Sequence, residues 1–224
     1  MKKTLIQVRN LAIGHKDRPL FADISFDICE GDVILLCGAN GSGKTTLLKA
    51  LTEIRSEVEI AMIPTRIPKI KGFTLNEFIN LSCYNKQNAD SDKALKKLAL
   101  SHLADRDIST LSDGEFQKGT IAAAIAKGAE IILMDEPTAF LDFPSKVETM
   151  RLLKRLAHES EKTIFLSTHD LEMAIQLADD LWLLSKEGLQ SGTADNLSAN
   201  GSLERFVSCN GISFDAARKV FYLS

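Results

Sequence analysis

An α/β fold with a mainly parallel sheet is predicted by three observations. A short apolar run, residues 33–37 (VILLC), passes into a glycine-rich loop at 38–46 (GANGSGKTT) and then into an apolar, helix-favouring stretch. A second all-apolar run, residues 131–134 (IILM), ends in two acids and fits a strand covered on both faces. Strand-like and helix-like segments alternate through the second half of the chain, which implies right-handed crossovers between parallel strands.

The elements follow in order. Residues 5–13 (LIQVRNLAI), 21–28 (FADISFDI) and 33–37 read as strands, the first two as an N-terminal antiparallel pair, with turn residues at 17–19 and 30–32. The helix after the glycine loop ends near Thr52. Residues 58–63 (VEIAMI) read as a strand, and Pro64 and Pro68 then break the chain. Thr74 and Glu77 form a T-x-x-E capping box that begins a helix. A second helix over 92–104 places Ala94, Leu95, Leu98 and Ala99 near one face, and the polar stretch 83–91 between them is loop-like. Residues 65–110 are therefore a candidate helical subdomain inserted into a single domain, 1–224, whose core is 1–64 and 111–224. Downstream come a helix at 115–127, the strand 131–134, a helix at about 145–160, a strand at 163–167, a helix at 170–178 and a strand pair at 181–191.

Composition narrows the function classes. The chain has 224 residues, long enough for one good core with a small subdomain. Hydrophobic content of 45% and charged content of 25% are those of a soluble globular protein. A net charge of -3 gives no basic footprint, so no nucleic acid is expected as partner. The opening residues alternate like a strand, so no secretory leader is expected, and no apolar run reaches the roughly 18 residues that span a bilayer. Cys29, Cys37, Cys83 and Cys209 contain no C-x-x-C pair and read as reduced thiols of a cytoplasmic protein.

The glycine loop carries chemistry. It matches G-x-x-x-x-G-K-[ST], a phosphate-binding loop, in the strand–loop–helix context that this motif requires, and so predicts a P-loop NTPase core. Gly38, Gly41 and Gly43 let the backbone turn N–H groups inward, with Ala39, Asn40, Ser42 and Thr46 completing the cradle. Lys44 is placed to reach the β- and γ-phosphates of ATP, and Thr45 offers a hydroxyl to Mg²⁺. At the strand end, Asp135 can hold Mg²⁺ and Glu136 can polarise a water aimed at the γ-phosphate. Ser112 and Glu115 in L-S-D-G-E read equally as a capping box at a helix start.

The run from L-S-D-G-E through a short helix to D-E-P-T resembles the ABC-transporter ATPase family, and the resemblance extends over nearly the whole chain. Residues 38–46 resemble its Walker A loop, and Ser112, Asp113, Gly114 and Glu115 its signature. Asp135 and Glu136 match the Walker B aspartate and catalytic glutamate, Asp142 the D-loop aspartate, and His169 the switch histidine. The resemblance implies two ATPase domains that sandwich two ATP molecules, the signature of one copy facing the phosphate loop of the other. Residues 72–78 and 171–182 look like importers of iron-siderophore, haem or cobalamin type.

The implied function is an ATP-hydrolysing subunit of an ABC importer. Its implied partners are membrane permease subunits, a second copy of itself and an extracytoplasmic substrate-binding protein, with the chain peripheral on the inner face of the cell membrane. Alternatives are a soluble ABC-type ATPase with a non-transport role and a slow or non-hydrolysing ATP-binding module. The chain departs from the family pattern at four places. Thr65 stands for the usual glutamine, and His15 for the aromatic that stacks on adenine, with a simple turn residue as the other reading. Asp113 and Glu115 put two acids in the signature, which Lys118 is placed to offset. The segment 52–64 is short.

Overall fold

The computed structural model describes residues 2–15, 18–84, 90–207, 212–215 and 217–223, with the side chains of His15, Arg18, Pro19 and Leu223 outside that description. Two long antiparallel strands come first, β1 (Thr4–His15) and β2 (Arg18–Cys29). The central sheet has six strands in the order β4-β5-β6-β3-β7-β8. These are β3 (Val33–Gly38), β4 (Ile60–Ile63), β5 (Ile131–Met134), β6 (Thr163–Thr168), β7 (Asp180–Ser185) and β8 (Gly188–Gly192). All neighbours run parallel except β7 and β8.

The sheet is buried on both faces, and strand periodicity sorts its side chains between two cores. Val33, Leu35 and Cys37 enter one cluster; Ile34 and Leu36, between them, enter the other. The first cluster is filled by α2 (Leu75–Ser82), α3 (Ser91–Lys97), α4 (Asp113–Ala126), α5 (Phe143–Ser160) and α6 (Leu171–Leu177). The second takes α1 (Lys44–Thr52) and the inner face of the β1–β2 pair. Trp182 lies in the second core with no exposure, its ring 4.7 Å from Phe26 and 4.9 Å from Phe165. Its indole N–H donates to Asp180 Oδ2 at 2.7 Å, so burial leaves no unpaired donor.

Parallel pairing aligns strand ends. Cys37 is opposite Thr168, and Met134 is opposite both Ile63 and Leu166. The residues that follow β3, β4, β5 and β6 therefore emerge along one edge of the sheet, where open α/β sheets bind ligands.

Several helix limits differ from the sequence reading. The expected helix over 92–104 stops at Lys97, because Ala99 turns left-handed at φ 56. There Leu100 N–H donates to Leu95 O at 2.8 Å and Ala99 N–H to Lys96 O at 3.1 Å, a Schellman closure made without glycine. A short 3₁₀ turn, Ser101–Leu103, follows. α4 starts at Asp113 and α5 at Phe143, each two residues before its expected start, capped by Ser112 and Asp142. Beyond Ser191 the chain adds α7 (Ala194–Ala199), α8 (Ser202–Val207) and an antiparallel pair, β9 (Ile212–Asp215) with β10 (Val220–Leu223), for which the sequence carried no clear periodic signal. Among the described residues no helix is long and apolar enough to cross a membrane.

Candidate functional site

The glycine loop joins β3 to α1, and two of its glycines, Gly38 and Gly43, are sterically required. A Cβ on Gly38 would lie 2.5 Å from Ser42 Oγ and 2.9 Å from Leu184 O. Gly43, the N-cap of α1, has φ 100, and a Cβ there would lie 2.5 Å from Leu20 Cδ2 and 2.8 Å from Phe21 Cε2. α1 begins with no acidic residue in its first turn and no side-chain cap, so its N-terminal N–H groups and the positive end of its dipole remain open to an anion. Lys44 is buried; its ammonium donates to Gly38 O at 2.8 Å and Ala39 O at 3.3 Å.

A cavity of about 350 Å³ opens beside the loop. Asn40, Gly41, Gly43, Lys44, Thr45 and Thr46 line it on the loop side, while Thr65, Asp135, Glu136 and Leu20 complete it. Leu20 is half exposed and offers an apolar surface next to the loop; an ordinary strand leucine gave no signal of this in the sequence. The backbone of His15 pairs with Arg18 at the end of β1, and its side chain lies outside the described residues.

Three hydroxyls converge on the buried carboxylate of Asp135. Thr45 Oγ donates to Oδ2 at 2.8 Å, Thr65 Oγ to the same oxygen at 3.1 Å, and Ser167 Oγ to Oδ1 at 2.6 Å. Charge-assisted bonds of this kind let a carboxylate remain buried. The next residue, Glu136, has φ 50. Its Oε2 lies 2.8 Å from His169 Nδ1, and its Oε1 lies 3.5 Å from the Lys44 ammonium. Strand-end acids, the loop lysine and the histidine after β6 thus form one contiguous polar cluster. Its donors are carboxylate and hydroxyl oxygens, a set that fits a hard cation such as Mg²⁺.

The residues of L-S-D-G-E lie elsewhere. None of the four from Ser112 to Glu115 lines the cavity, and Ser112 and Asp113 are exposed. Ser112 caps α4 in a full capping box: Glu115 N–H donates to Ser112 Oγ at 3.2 Å, while Glu115 Oε2 accepts from Ser112 N–H and Oγ, each at 2.8 Å. Those bonds hold the Glu115 carboxyl below its usual range, with a smaller contribution from Arg106. Asp113 is paired at 2.7 Å with Lys69, which also donates to Leu111 O at 2.7 Å. The expected offset by Lys118 is not made: that side chain pairs with Glu148 at 2.5 Å instead. Lys69 sits 44 positions away in the chain, beyond the reach of helix-spacing rules. Asp142 is the N-cap of α5, accepting from Ser145 N–H at 3.0 Å, and the Ser145 hydroxyl together with that N–H lowers its pKa.

A family model described as "ABC transporter" matches residues 21–139. The achromobactin transport ATP-binding protein of Dickeya dadantii is 30% identical over 209 residues, spanning 80% of this chain and 78% of that one. The iron(3+)-hydroxamate import ATP-binding protein of Bacillus subtilis is 30% identical over 221 residues, spanning 84% of this chain and 82% of that one. Among solved structures, a metal-chelate type ABC transporter in an inward-facing conformation matches at a TM-score of 0.82 and 25% identity, covering 98% of this chain and 96% of the other.

Proposed function

Since this chain belongs to the ABC transporter family, and to its ATP-binding proteins in particular, we propose that it is the ATP-hydrolysing subunit of an importer for an iron-siderophore-like metal chelate, of iron-siderophore, haem or cobalamin type. The relatives named for transport of achromobactin and iron(3+)-hydroxamate support that cargo class over a non-transport role. The observation that carries the site is the convergence of Lys44, Thr45, Asp135 and Glu136 on one cavity at the sheet edge.

In this reading the loop N–H groups and Lys44 bind the ATP phosphates, the ammonium exchanging its loop carbonyls for phosphate oxygens. Thr45 and Asp135 would hold Mg²⁺, which would supply neutralisation of phosphate charge when bound. Glu136 orients a water and draws on its proton as the water oxygen bonds to the γ-phosphorus and the bond to ADP breaks. His169, hydrogen-bonded to Glu136, faces the γ-phosphate. Ser112 and Gly114 of a second copy close the site, with Asp113 and Glu115 held back by Lys69 and by the capping box. Asp142 would shape the loop between the copies. His15 is kept as a candidate contact to the base.

Residues 65–110 are the proposed coupling part that meets the permease. Exposed Phe73, Leu81 and Tyr84 line a groove along α2, supporting an apolar docking surface there. The chain would sit peripherally on the inner face of the membrane and work with an extracytoplasmic substrate-binding protein. The test is Glu136→Gln: kcat for ATP hydrolysis falls about 100-fold or more while ATP still binds, and an ATP-bound dimer accumulates on size exclusion. Hydrolysis at the parent rate would remove Glu136 from its assigned role.

A further inference from the structure

Ser167 is fully buried on β6, the strand beside β5, and stands two residues before His169 in the segment that resembles the family's switch, where only the histidine was given a role. Its hydroxyl is used in both senses. The O–H donates to Asp135 Oδ1 at 2.6 Å, and the oxygen accepts from Glu136 N–H at 2.9 Å. One side chain on the neighbouring strand therefore holds both acids of β5's C-terminal end.

Each bond has a geometric consequence. The first ties one oxygen of Asp135 to the sheet and leaves the other turned to Thr45 and Thr65 at the cavity. The second pins a residue whose φ of 50 lies where a side chain larger than glycine is seldom found. That turn ends the strand's alternation and points Glu136 toward His169 and Lys44. Without the hydroxyl, the buried Oδ1 of Asp135 and the half-buried N–H of Glu136 would both lose this partner. Ser167 does not itself line the cavity.

We propose that Ser167 is a positioning residue for hydrolysis, setting the Asp135 carboxylate and the Glu136 turn in register from the adjacent strand. The proposal rests on the roles given above to Asp135 and Glu136.

The test uses the full chain and four variants: Ser167→Ala, Ser167→Thr, Glu136→Gln and the Ser167→Ala/Glu136→Gln double. In Ser167→Ala, kcat falls about tenfold or more while KM for ATP moves less than about threefold. Mn²⁺ affinity of the ADP-loaded chain, read by electron paramagnetic resonance, falls about tenfold. Ser167→Thr keeps the hydroxyl on a β-branched side chain suited to a strand, and restores both values to within about threefold. On the Glu136→Gln background, Ser167→Ala adds less than about twofold, because the two act on one step. Parent-like kcat and Mn²⁺ affinity in Ser167→Ala overturn the proposal. So does a loss that Ser167→Thr fails to relieve, or one that recurs in full on the Glu136→Gln background as general destabilisation would. Parent-rate hydrolysis by Glu136→Gln overturns the role of Glu136 instead, while the Mn²⁺ affinity of Ser167→Ala still decides whether Ser167 positions Asp135.

Discussion

Cys37 stands one residue before the glycine loop, fully inside the sheet and close to Lys44. Burial pushes its thiol up to about 12, and the nearby Lys44 charge pulls it back only in part. The thiolate is the reactive form, so Cys37 stays inert at pH 8 although it directly precedes the glycine loop. Iodoacetamide followed by mass spectrometry checks this: Cys37 remains unmodified in the folded chain over a period that labels it completely in urea. Labelling at equal rates would show that β3 opens readily. At this scale the sequence was informative where chemistry is local. Lys44, Thr45, Asp135 and Glu136 stand in contiguous strings, and the fold brings them to one cavity. Lys69 and Leu20 reach these neighbourhoods through loop return and strand position that no motif marks, and the bonds of Ser167 and Thr65 to Asp135 come from strand pairing that the motifs do not state.

Elements were legible wherever periodicity and capping agreed. The Thr74 and Ser112 boxes form as read, each with its reciprocal bonds. The break after α3 was not legible, since its left-handed turn uses Ala99 rather than glycine. The capping box of α4 makes a measurable claim. Glu115→Ala removes the acceptor for Ser112 N–H and destabilises the chain by about 1 kcal/mol, or about 2–4 °C in Tm. The Glu115 carboxyl is lowered in the folded chain, so its contribution is present above the ordinary glutamate pKa and is lost as pH falls through the lower folded value. The Tm difference between parent and Glu115→Ala therefore persists at pH 7 and narrows on acidification below about pH 4. A difference that is flat down to low pH would show that the carboxylate charge adds nothing there.

The whole molecule presents two polar sites that its own fold keeps apart. The glycine loop and strand-end acids share the cavity, whereas exposed Ser112 and half-buried Gly114 stand outside it at the start of α4. If one chain's signature closes another chain's site, two defects on opposite sides of that junction must complement. Lys44→Ala removes the charge proposed to bind phosphate and lies outside α4. Gly114→Asp spoils the outward face at little structural expense, because a Cβ there meets only Ser145, at 3.8 Å. Each variant alone forms dimers without a working site. In an equimolar mixture, half of the dimers are mixed, and each of these holds one intact loop opposite one intact signature. Hydrolysis then returns to about a quarter of the parent rate if the two sites of a two-fold dimer act independently. The measurement is ATP turnover of the mixture against each variant alone, at a total chain concentration that keeps the parent dimeric. A mixture as inactive as its components would mean that loop and signature serve a single chain, and the two-copy site would have to be abandoned.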